Sequence, residues 1–114
     1  MDTLELARAI VSVLEDKKGE DIVLMDIREL SDFTDYFVIC SGTSDRMLNA
    51  LADAVVEQIR DEYQIKGRIE GQPEDGWLLL DYIDVIVHLF SPDRRKYYRL
   101  EELWSQGKVL LHLQ

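Results

Sequence analysis

The chain has 114 residues, of which 23 are acidic and 13 basic, and 46% are hydrophobic; this suits one domain, 1–114, with a real core, and argues against disorder. A formal net charge of −10 opposes direct binding to nucleic acid or to an anionic membrane, and beyond what it does for solubility it makes a basic protein the natural partner. No apolar run approaches the roughly 20 residues of a membrane helix, the N-terminus lacks a basic region followed by an apolar block, and the single Cys40 rules out an intrachain disulfide or a cysteine-built zinc site, so a cytoplasmic protein is expected.

Thr3 to Glu15 is predicted as a helix, with Leu4, Ala7, Val11 and Leu14 at helical spacing, Asp2 or Thr3 as cap, and a Lys17-Lys18-Gly19 stop. Asp21 to Ile27 and Tyr36 to Ser41 are short, nearly continuous apolar runs, expected of strands covered on both faces. The polar stretch Glu29 to Asp35 between them is expected as loop. Gly42-Thr43-Ser44 then opens the longest helix, running to about Tyr63, with Leu48, Leu51, Ala52, Val55 and Ile59 as its buried stripe. A strand, a Gly-Thr-Ser turn and a helix N-terminus can cradle an anion, but Asp45 in the first turn can satisfy the helix dipole itself, which favours simple capping.

Gly67 to Gly71 is predicted as a short edge strand, and Gln72 to Gly76 as the turn leading into Gly76–Phe90, the most apolar stretch of the chain. That stretch reads as a hairpin turning at Asp81 to Asp84. Alternation then puts Trp77, Leu79, Asp81, Asp84, Ile86 and His88 on one face, and Leu78, Leu80, Val85, Val87 and Leu89 on the other. The wholly apolar second set is the expected core; the first set has the composition of a docking surface. The turn is weakly encoded because Ile83 is poorly suited to the φ > 0 such turns require, and a different loop length would exchange the two faces. Ser91-Pro92-Asp93 starts a helix expected to carry Tyr97, Leu100 and Trp104 on one side and to end near Gly107. Val109 to Leu113 is an apolar tail, suited to a further strand or to packing on a second subunit. Together these elements predict a mixed α/β (α+β) fold, a sheet of about five strands with flanking helices.

Tests for chemistry fail one by one. His88 and His112 have no paired spacing for a metal. Ser44, His88 and Asp84 or Asp81 lack the nucleophile elbow of a hydrolase. A nucleotidyltransferase needs an acid-x-acid pair pointing one way to hold Mg²⁺, whereas Asp81 and Asp84 stand three apart across a turn and only Arg46 lies near the Gly-Thr-Ser turn to receive a triphosphate. No catalytic residue, metal site or cofactor is expected.

The segments DYFVICSGTSDR (Asp35 to Arg46), Glu70-Gly71, GWLLLDYIDVIVHLF and RRKYYRLEELW (Arg94 to Trp104) resemble, in order and across almost the whole chain, the Iojap family of ribosomal silencing factors. The resemblance implies a domain shaped like nucleotidyltransferases without their activity. It implies binding to the large ribosomal subunit through its protein number fourteen, and a block on joining of the small subunit that lowers translation when nutrients are short. Members are often homodimers, and organellar relatives act in large-subunit assembly. Trp77, Asp81 and Tyr82 fall in the family's W-x-x-x-D-Y block, Asp84 and His88 in D-V-x-V-H, and Arg95, Tyr98, Leu100, Glu101 and Trp104 in its last helix pattern; relatives commonly have glycine where this chain has Ile83. On this basis Trp77, Leu79, Asp81, Tyr82, Asp84 and His88 are the expected partner-binding residues, with Glu70, Asp45, Arg46 and Arg95 as secondary candidates. A nucleotide-handling enzyme is the alternative reading.

Overall fold

In the computed structural model, which describes residues 2–114, the elements run α1 (Thr3–Asp16), β1 (Glu20–Asp26), β2 (Tyr36–Ser41), α2 (Asp45–Tyr63), β3 (Arg68–Gln72), a single 3₁₀ turn (Pro73–Asp75), β4 (Trp77–Asp81), β5 (Val85–Phe90), α3 (Pro92–Tyr98), α4 (Leu100–Leu103) and β6 (Lys108–Leu113). The strands form one mixed sheet in the order β3-β4-β5-β2-β1-β6. β2 and β5 pair in parallel at its centre, and the other neighbours pair antiparallel. The expected mixed α/β fold is therefore present, with one strand more than the sequence indicated. The apolar tail adds to β1 as β6, pairing Ile22 with Leu113 and Asp26 with Lys108.

Local chemistry sets most boundaries. Asp2 caps α1 by accepting from the Glu5 N–H at 2.8 Å, and Ser44 caps α2 by accepting from Met47 at 3.0 Å, so the Gly-Thr-Ser turn is a capping device. α1 and α2 cover one face of the sheet. Ile10, Leu14, Leu48, Leu51, Val55 and Ile59 pack there against Leu24, Val38, Leu78, Leu80, Val87 and Leu89. The opposite face buries a smaller layer of Val23, Met25, Ile27, Phe37, Ile39, Ile86 and Phe90, joined by the half-buried Trp77, Leu79, Leu100 and Trp104. The two faces of the β4–β5 hairpin thus fall as alternation predicts.

The C-terminal helix differs from expectation. It breaks at Arg99, which adopts a left-handed conformation (φ 50°, ψ 50°) between α3 and the four-residue α4. The single stripe expected of Tyr97, Leu100 and Trp104 does not exist. Tyr97 is exposed, while the break swings Leu100 and Trp104 down onto the second face. No glycine or proline marks this site, so local propensity is overridden by the burial of two large apolar side chains.

Candidate functional site

On the helix-poor face of the sheet a large aromatic side chain, an open cleft and carboxylates meet. Its centre is Trp77, the first residue of β4. Gly76 before it has φ +73°, and a Cβ there would stand 2.6 Å from Ser91 Oγ and 2.7 Å from Arg94 Cγ. Only glycine lets the chain enter β4 so close to the start of α3. The Trp77 ring packs against Tyr98 (centroids 4.5 Å apart), Phe90 (5.1 Å) and His88 (5.9 Å). The indole is therefore packed among three rings, and the residue remains half-buried beside a cleft of about 430 Å³ lined by Glu70, Gly71, Asp75, Trp77, Leu79, Arg94 and Tyr98.

The hydrogen-bond geometry fixes the state of His88. The Trp77 Nε1–H donates to His88 Nδ1 at 3.2 Å, and an indole N–H can only donate, so Nδ1 is the acceptor and the imidazole proton sits on Nε2. Nε2 is buried with no partner. Desolvation pushes the His88 pKa down to about 4, and the ring is neutral at pH 7. A histidine of this kind stiffens the indole and offers no charge to a ligand. The expected role of His88 as a contact residue is thereby corrected: at 5% exposure it supports the surface from beneath, held edge-on against Phe37 at 4.8 Å.

Two more sequence-selected residues belong elsewhere. Tyr82 turns to the helix-covered face, where it is 6% exposed. Its ring lies over Gly67, where a Cβ would stand 2.4 Å from Cζ, and burial pushes its phenol up to about 12. Its place continues the alternation of Leu78 and Leu80, all three lying in the helix-covered core. Arg95, also buried, donates from Nη1 to the Asp21 carbonyl at 2.6 Å and to Ser41 Oγ at 2.8 Å, and from Nε to Glu101 Oε1 at 3.0 Å. It ties α3 and α4 to the ends of β1 and β2 and leaves no fork for a partner.

The remaining candidates are accessible. Leu79 and Asp81 follow Trp77 on the same face, half-buried. Asp81 Oδ1 accepts from the Ile83 N–H at 2.8 Å, and Oδ2 stands 3.6 Å from Arg68 Nη2. Asp84 is exposed, and its carbonyl accepts from the Asp35 and Tyr36 N–H groups. Glu70 lies on the cleft wall, paired loosely with Arg68 at 3.8 Å. Asp45 and Arg46 are exposed in the first turn of α2, which packs on the other face, and they do not line the cleft.

Sequence reasoning missed Asp75, Arg94 and Tyr98 as cleft residues. It also missed Phe33, which is 62% exposed and packs on Phe37 and Trp104 at the far end of the same face. A lone phenylalanine in a polar loop was the available signal. The Ser-His-Asp idea has no geometric basis, since Ser44 Oγ is engaged in capping and His88 in the indole bond. Among the described residues, no three His, Cys, Asp or Glu side chains converge as a metal site would need, and no helix is long and apolar enough to cross a membrane.

Comparison with known proteins decides the family. A family model described as "Ribosomal silencing factor during starvation" matches residues 1–113. The chain belongs to this ribosomal silencing factor family. The Ribosomal silencing factor RsfS of Bacillus subtilis is 38% identical over 110 residues, covering 96% of this chain and 92% of that protein. "Mitochondrial assembly of ribosomal large subunit protein 1" of mouse is 37% identical over 101 residues, covering 84% of this chain but 43% of its own length. A crystal structure of a Chromobacterium violaceum protein superposes with a TM-score of 0.87 at 32% identity, covering 92% of this chain and 88% of that one. Membership in the silencing factor family gives the chain a ribosome-associated role in the regulation of translation, and the family is named for a silencing factor rather than an enzyme.

Proposed function

We propose that this silencing factor binds the large ribosomal subunit through its protein number fourteen and occupies space the small subunit needs, so that subunit joining and translation fall. The observation that carries the reading is Trp77: an indole held by packing on His88, Phe90 and Tyr98 and half-exposed on a cleft rimmed by Glu70 and Asp75. An aromatic anchor whose rotamer is already fixed loses little entropy on binding, and such residues dominate interface energies. Ribosomal proteins are basic, so Asp81, Asp84, Glu70 and Asp75 around an apolar centre of Trp77 and Leu79 have the sign for steering such a partner. The action is steric; no bond is made or broken. A role in large-subunit assembly uses the same contact. The open edge strand β6, with Val109 and Leu110 exposed, is the surface we assign to self-association as a homodimer.

The test is co-sedimentation with purified large subunits. Trp77→Ala should weaken binding at least thirtyfold, because loss of a central aromatic anchor costs on the order of 2 kcal/mol or more, and Asp81→Lys should weaken it with a reduced dependence on salt. Folded variants that sediment like the wild type would refute the surface.

A further inference from the structure

β3 closes the sheet on the side of Trp77, and all five of its residues are exposed. Its sole strand neighbour is β4, so every other N–H and C=O along it points outward with no strand beside it. Proteins usually blunt such an edge with proline, inward-pointing charge or a covering loop. β3, Arg-Ile-Glu-Gly-Gln, has no proline, and its arginine is drawn to Glu70 and Asp81 at 3.8 and 3.6 Å.

The register joins this edge to the cleft. Glu70 pairs with Leu79 and Gln72 with Trp77, so the side chains of Glu70 and Gln72 stand on the same face as the indole. Glu70 and Gly71 form one wall of the cleft, with Trp77 and Leu79 as its floor and Asp75 at its end. A further strand would lie ~4.8 Å outside β3, with every second side chain beside that wall. The carboxylates lining the cleft are Glu70 and Asp75, with Arg94 beside them and Arg68 of β3 held 3.8 Å from Glu70. The other edge, β6, presents the exposed apolar Val109 and Leu110, with Lys108 at its start and its His112 already paired with Asp21.

We propose that the basic protein partner docks by laying an extended segment along β3 as a seventh strand, with a Lys or Arg of that segment reaching Glu70 and Asp75. This rests on the reading of the Trp77 surface given above and adds the mode of recognition: main-chain hydrogen bonds on the edge give the alignment, and the indole and carboxylates select the side chains. The weak, exposed Arg68–Glu70 pair is exchanged for the incoming cation.

Amide hydrogen exchange over residues 68–72, with and without purified large subunits, tests it without altering the chain. The outward amides of β3 should slow at least tenfold in the complex. Of Ile69 and Glu70, one N–H points into β4 and the other outward. Proline at the outward position should leave the circular dichroism spectrum and melting transition intact and cut co-sedimentation at least tenfold, and Glu70→Lys should cut it similarly. If subunits bind in a Trp77-dependent way while the β3 amides exchange as freely as before and the folded proline variant binds normally, strand addition is overturned and the docking face stands. If Trp77→Ala also binds normally, both fall.

Discussion

The indole N–H of Trp77 and Nδ1 of His88 lie 3.2 Å apart, and this bond holds the imidazole as a neutral base in a site that cannot solvate its cation. Two residues on neighbouring strands, brought together because β4 and β5 pair Leu79 with His88 and Trp77 with Phe90, thus couple the geometry of the candidate surface to pH.

His88 is expected to make the fold sensitive to mild acid. Its folded pKa is pushed down to about 4, below the ~6.5 of an unfolded histidine. Between those values the unfolded chain binds the proton and the folded chain does not, so stability is full above pH ~6.5 and declines as the pH falls towards 4. The loss at pH 5 should be about 2 kcal/mol. His88→Gln, which can still accept from the indole and does not titrate, should remove this loss. Urea denaturation of both proteins at pH 7 and pH 5 measures the difference, with His112 common to each.

Ile83 is expected to be a removable strain. It has φ +72° in the turn between β4 and β5 and is 75% exposed, so its branched side chain contributes little packing while its backbone sits where L-residues cost ~1–2 kcal/mol. Ile83→Gly keeps the N–H that Asp81 accepts. After the extra unfolded-state freedom of glycine is subtracted, a net gain of about 0.5–1 kcal/mol remains, and the melting temperature should rise by a few degrees. A fall in melting temperature would show that the isoleucine makes a compensating contact.

The same turn shows how much the sequence discloses. The hairpin faces were legible because two-residue alternation in strands is strong, and Ile83 was recognisable as a misfit before any coordinate was known. Tyr82, expected from the resemblance at the binding surface, is buried instead, because the space its ring fills is left by Gly67, fifteen positions earlier, a relation that the resemblance does not disclose. His88 was read on the correct face, but its burial depends on Trp77 and Phe37 closing over it. The apolar tail was legible as a possible strand but not its pairing with β1, and the break at Arg99 serves packing against the second face, where local signals are silent.

Cys40 is expected to be chemically inert in the folded chain. It lies near the C-terminal end of β2 with no exposure, and burial pushes its thiol up to about 12, so almost no thiolate exists at pH 8 and none is reachable. Iodoacetamide should leave the native protein unmodified over hours and label it fully in 6 M urea, read by intact mass. Rapid labelling under native conditions would mean that β2 opens locally.

Arg95 is expected to be the polar residue least tolerant of truncation. Its guanidinium binds the Asp21 carbonyl, Ser41 Oγ and Glu101 Oε1 at 2.6–3.0 Å and is almost fully covered. Arg95→Leu leaves these acceptors without their donor; Asp21 and Glu101 are partly exposed and able to recruit water, so the loss is set below that of a fully buried pair, at about 2–3 kcal/mol. Arg95→Lys should recover less than half of it, because a single ammonium cannot span three acceptors as the planar fork does. The damage should be local first: with α3 and α4 untied from β1 and β2, Tyr98 loses its hold on Trp77, and amides of residues 92–104 should exchange faster than those of α1 and α2. Uniform acceleration across the chain would show instead that Arg95 stabilises the whole fold as one unit and does not specifically anchor the helices behind the Trp77 surface.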